Sequence, residues 1–137
     1  MKPIAKLTKR ERAAILRDPN ARLSDLLEIA ALDAIALQRQ KRVKFDMWET
    51  VTPPEKRGGK CTVCLAGAAL YRDLGIRSEG EWPDAVSENF ARIDRARSGI
   101  GCGETQIVIT RAWSRRLSRA PFRVYLTAAC KLREQGL

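Results

Sequence analysis

The segment from Asp25 to Arg42 constrains this chain most. Leu26, Leu27, Ala30, Ala31, Ala34, Ile35 and Gln38 recur at three- and four-residue spacing, the period of a helix with one apolar face. Asp25 and Glu28 fall in its first turn, and Arg39, Lys41 and Arg42 in its last. That polarity suits the helix dipole. Ser24 is the expected N-cap.

The flanking patterns are mostly helical too. Thr8-Lys9-Arg10-Glu11 matches a capping box and predicts a helix over 9–17 that ends before Asp18-Pro19-Asn20, with Ala13, Ala14 and Leu16 on its apolar face. Val43 to Met47 alternates apolar and polar residues and reads as a short extended segment with Val43, Phe45 and Met47 on one side. Residues 52–60 form a loop by composition, the expected mobile segment. A helix over 62–74 follows, with Gly75 as C-cap. Trp82-Pro83-Asp84 opens another, with Pro83 at its first position; it turns Val86, Phe90 and Ile93 inward and ends at Gly99. The Gly99 to Gly103 run is a flexible turn. Gln106 to Thr110 has the β-branched residues of a strand, but the residues after it pattern as a helix, and a helix over 105–118 is the reading taken. Pro121 starts a last helix that ends at Gly136 and draws its apolar content from Val124, Leu126, Ala128, Ala129 and Leu132. The expectation is a mainly α chain, one compact helical domain over 1–137 with about five helices and at most a short β element. Only 6% of residues are aromatic, so the core must come mainly from Leu, Ile, Val and Ala.

Much catalytic chemistry is excluded. The chain has no histidine, which removes the Ser-His-Asp triad, the Cys-His pair, the HExxH zinc helix and the Cys₂His₂ finger. It has no phosphate loop of the GxxxxGK[ST] type. Gly99, Gly101 and Gly103 follow a helix rather than a strand, so they are not a dinucleotide fingerprint. No close pair of carboxylates stands out for acid/base work. Asp84 and Glu88 read as exposed helix surface. An enzyme is not expected.

The stretch GKCTVCLAGAAL, residues 59–70, admits three readings. Cys61 and Cys64 have the spacing of half a zinc site, whose other half would be Cys102 and Cys130 converging in space. They could also be a redox pair, with Lys60 and a helix N-terminus lowering the thiol pKa, but no βαβ pattern surrounds them. The reading favoured is packing. The run of small residues permits close helix approach, and a buried free cysteine behaves as a small hydrophobe. No cofactor is therefore expected.

Phe45-Asp46-Met47, Trp48 and Cys61-Thr62-Val63-Cys64-Leu65-Ala66-Gly67-Ala68-Ala69 together resemble a pattern in uncharacterised small proteins of bacteriophages and prophages: F-x-M, a Trp, a variable loop, then C-x-V-C-x-A-G-A. Phe90 to Gly99 is similar to the helix that follows in those proteins. The resemblance covers residues 43–100. It implies a phage or prophage origin and a shared folding core, and carries no activity.

The charge is the remaining lead. The net charge is +10 and the pI about 10.0. Residues 1–44 carry +6, 45–60 zero, 61–98 −1 and 99–137 +5, so two basic ends flank a neutral middle. Such a chain attracts nucleic acid or an acidic protein. Arg111, Arg115, Arg116 and Arg119 make a cationic stripe if helical, with Trp113 beside it. Lys2, Lys6, Lys9, Arg10 and Arg12 form a second cluster. The reading taken is a basic, non-enzymatic phage accessory protein that binds nucleic acid through phosphate, at Lys6, Lys9, Arg10, Arg111, Arg115, Arg116 and Arg119. The alternative is a protein-interaction module that inhibits or modulates an acidic host protein, with Trp48 and the 52–60 loop as its contact surface. The start MKPIAKLTKRER lacks the apolar run of a secretion signal, and Ile29 to Leu37 is too short to cross a bilayer. No segment pairs a basic face with a large aromatic one, so no membrane role is expected. The expected location is the cytoplasm, that of the host if the chain is phage-encoded.

Overall fold

Helix α2 (Leu23–Arg39) runs through the middle of the fold. Leu26, Leu27, Ile29, Ala30, Ala31, Ala34 and Leu37 are all fully buried, so the helix is enclosed on more than the single face its spacing implied. The computed structural model describes residues 2–40, 42–45, 51–52, 54, 57, 59–77, 80, 82–99 and 120–137. Among these, a 3₁₀ turn (Ile4–Lys6) and four further helices surround α2: α1 (Lys9–Arg17), α3 (Leu65–Leu74), α4 (Asp84–Gly99) and α5 (Ala120–Glu134). The mainly α expectation holds.

The short β element is also present. β1 (Lys44–Phe45) pairs parallel to β3 (Thr62–Val63), and β2 (Val51–Thr52) pairs antiparallel to β3. Lys44 and Val51 stand opposite Thr62 and Val63 respectively, giving the order β1-β3-β2. This pairing explains why α3 starts at Leu65 rather than near 62: Thr62 and Val63 spend their backbone groups on the sheet.

One hydrophobic core joins the helices. The most extensive contacts of α2 are with α5, through Phe122, Tyr125 and Ala129, and with α3, through Leu65, Ala66, Ala68 and Ala69. The small residues of α3 let its backbone approach α2, as the packing reading required. Burying each Leu or Phe contributes about 1.5–3 kcal/mol.

The ends of the elements differ in detail from the sequence reading. The capping box of α1 is present: Thr8 Oγ1 accepts from Glu11 N at 3.2 Å, and Glu11 Oε1 accepts from Thr8 N at 3.0 Å. Ala13 and Leu16 are buried, but Ala14 is exposed. Ser24 is not the cap of α2. The helix begins one residue earlier, and Ser24 lies buried in its first turn, its N–H donating to the Leu137 carbonyl at 3.4 Å. The helix ends at Arg39 rather than Arg42, because the chain turns there into β1. Gly75 caps α3 at φ +69°, and Ile76 N donates to Leu70 O at 3.1 Å. The Pro83 carbonyl accepts from Ser87 N at 3.1 Å, which makes Pro83 the residue before α4 rather than its first. Trp82 stacks tilted on Phe90, ring centroids 5.5 Å apart, and fixes that entry. In α5, Val124 is exposed; the inward positions are Phe122, Tyr125 and Ala129. Met47, four residues of the 52–60 loop (53, 55, 56 and 58) and the 105–118 segment lie outside the described residues.

Candidate nucleic-acid interface

The N-terminal cations divide into two groups. Lys6, Lys9 and Arg10 are exposed and have no ion-pair partner among the described residues. Lys9 and Arg10 are the first two residues of α1. There the helix dipole favours acids, and a cation costs roughly 0.3–1 kcal/mol. Local stability therefore does not explain them. Arg10, Ala14 and Arg17 recur at i, i+4 and i+7 and are all exposed, so they share the outer face of α1. The exposed Ala14 leaves that face low between two arginines. Along the helix axis Arg10 and Arg17 are about 10.5 Å apart. Arg17 is not among the cations the sequence pattern singles out, and it forms no ion pair among the described residues.

Lys2 and Arg12, read as part of the same cluster, are committed elsewhere. Lys2 Nζ pairs with Glu11 Oε1 at 3.1 Å. The Thr8 N–H and then the Lys2 ammonium hold the Glu11 carboxyl below its ordinary value. Arg12 turns inward. Its Nη1 donates to the Leu7 carbonyl at 2.6 Å and its Nε to Asp73 Oδ1 at 2.9 Å, with Asp33 Oδ1 at 3.6 Å. Arg72 Nη1 donates to the same Asp33 oxygen at 2.6 Å. Both carboxylate side chains are fully buried.

Asp33 of α2 and Asp73 of α3 thus form a close, fully buried carboxylate pair. They are 40 residues apart in sequence, and no local pattern pairs them. Burial, and next the neighbouring Asp73 carboxyl, raise the Asp33 pKa to about 9; Arg72 pulls the other way without offsetting them. Each carboxyl has one oxygen, Oδ2, with no hydrogen-bond partner. Asp33 keeps its proton and shares it with the neighbouring carboxyl as a hydrogen bond. The cluster joins α1, α2 and α3 and so fixes the helix that carries Arg10 and Arg17. Asn89 of α4 braces the other end of α1, donating from Nδ2 to the Leu16 and Asp18 carbonyls at 2.9 Å each.

Cys61 and Cys64 are buried. Cys64 is the N-cap of α3, its Sγ accepting from Gly67 N at 3.3 Å, and burial pushes its thiol pKa up to about 11. Cys130 is exposed on α5. Cys102 and the arginines 111, 115, 116 and 119 lie outside the described residues, among which no group of three or more Cys, Asp or Glu is placed to hold a metal ion. Likewise, no helix among the described residues is long and apolar enough to cross a membrane.

No protein-family model, curated protein or solved structure matches the chain.

Proposed function

We propose that this chain is a small, non-enzymatic accessory protein that binds nucleic acid through its phosphate backbone. Lys6, Lys9, Arg10 and Arg17 supply contacts at and around α1, and Arg111, Arg115, Arg116 and Arg119 of the C-terminal basic stretch are further phosphate contacts proposed from the sequence pattern. One observation carries the reading: exposed cations stand on the outer face and at the positive end of α1, without acidic partners among the described residues. A merely solvating surface has no reason to place Lys9 and Arg10 against the helix dipole.

The test is Lys9→Glu, Arg10→Glu and Arg17→Glu combined, with binding to labelled random-sequence DNA and RNA measured at fixed low salt. The expected result is at least about a tenfold weakening, alike for every sequence tried. Unchanged affinity in a folded triple variant would refute the α1 face as the contact surface. The second reading, an interaction module for an acidic host protein, draws support from a different place, a groove on α5.

A further inference from the structure

Between the start of α2, the end of α4 and the outer side of α5 lies an open groove of about 350 Å³. Its floor is apolar: Leu23, Ala96, Ala128 and Leu132. Arg95 and Lys131 also line it, and among the described residues no carboxylate does. The exposed Val124 stands one turn before Ala128 on α5 and continues the same stripe. Leu137, the other large exposed hydrophobic side chain among the described residues, belongs to the segment whose carbonyl is bonded to Ser24 N, next to Leu23. Among the described residues, the large apolar side chains left exposed thus lie near this one groove.

We propose that this groove docks a short amphipathic segment of a partner protein, with one or two bulky apolar residues flanked by Asp or Glu. The volume is at the low end of binding sites and suits a pair of side chains rather than a large cofactor. Charge complementarity selects the occupant. Arg95 and Lys131 would meet acidic flanks, whereas phosphate has no use for the apolar floor and a second copy of a +10 chain is repelled. A helix with apolar residues at i and i+4 presents them in one line to such a groove. This site is separate from α1 and gives the second functional reading a location of its own, replacing the 52–60 loop with a surface on α5.

The probe is a fluorescein-labelled peptide with Leu at i and i+4 and Glu at most other positions, followed by fluorescence anisotropy. Its control is a scrambled peptide of the same composition and charge. The ordered peptide is expected to bind at least about tenfold more tightly than the scrambled one. Ala128→Trp, which fills the groove, and Lys131→Glu, an exposed charge reversal with little effect on folding, are each expected to remove that difference while leaving DNA and RNA binding intact. Equal binding of both peptides, or an unchanged preference in both variants, would overturn the proposal. So would self-association of the wild-type chain that Ala128→Trp abolishes, because the occupant would then be a second copy. Loss of nucleic-acid binding by the α1 variants alone would leave this result unaffected, so the two readings fail separately.

Discussion

Replacing Asp33 by Asn probes the most unusual feature of the core. Asn keeps the shape, offers Arg72 a carbonyl oxygen and offers Asp73 a donor where the shared proton sits, but it cannot ionise. In the folded chain Asp33 holds its proton at pH values where the unfolded chain has released it. Folding therefore takes up a proton, and this group's contribution to stability falls as pH rises, from the ordinary value of 3.8 up to about 9. Each pH unit in that window is worth about 1.4 kcal/mol, so at neutral pH the ceiling is about 4 kcal/mol. Urea denaturation of both proteins across pH gives a difference curve in which groups common to both largely cancel. The variant should gain on the wild type steadily with rising pH and overtake it before pH 9, with the difference flat above. A flat difference between about pH 5 and pH 8, with a constant loss of about 3–5 kcal/mol in the variant, would refute the shared proton. Asp33 would then be ionised and held by Arg12 and Arg72.

Asn89→Ala leaves the Leu16 and Asp18 carbonyls without their donor and should cost about 2–3 kcal/mol by urea denaturation; a loss below about 0.5 kcal/mol would show that water replaces the amide. Gly75→Ala meets nothing within 4 Å, so its cost is the backbone strain at φ +69° alone, about 1 kcal/mol in thermal unfolding. In the native chain a thiol reagent should label Cys130 quickly and Cys64 only after denaturant is added, as read by mass spectrometry of the peptides; equal rates would contradict the burial and raised pKa of Cys64.

Helical periodicity and capping chemistry are local, and they were legible. Thr8 with Glu11, the Leu-Ala stripe of α2, Gly75 and the small residues of α3 each announce their element within a few residues. Ser24 misled because a good capping residue was read without knowing that the Leu137 carbonyl, far along the chain, takes up its N–H. The apolar content of α5 does not by itself show which side faces inward: Val124 is exposed, while Phe122 and Tyr125 supply the inward face. The Asp33–Asp73 pair and the inward turn of Arg12 depend on how three helices pack, and no spacing along the chain encodes that. On the candidate interface, Lys6, Lys9 and Arg10 are exposed as the basic pattern suggested, whereas Lys2 and Arg12 are consumed by acids that sequence alone does not bring near.

The central claim is phosphate contact, and salt tests it most directly. Binding of purified, nuclease-treated protein to random-sequence duplex DNA and to RNA should be titrated across salt concentration. The account predicts a linear fall of log K with log salt, with a slope of about −0.9 per phosphate contacted on duplex DNA, and weak sequence preference. Absence of binding near about 50 mM salt would contradict it, and the +10 charge would then be complementary to an acidic protein instead.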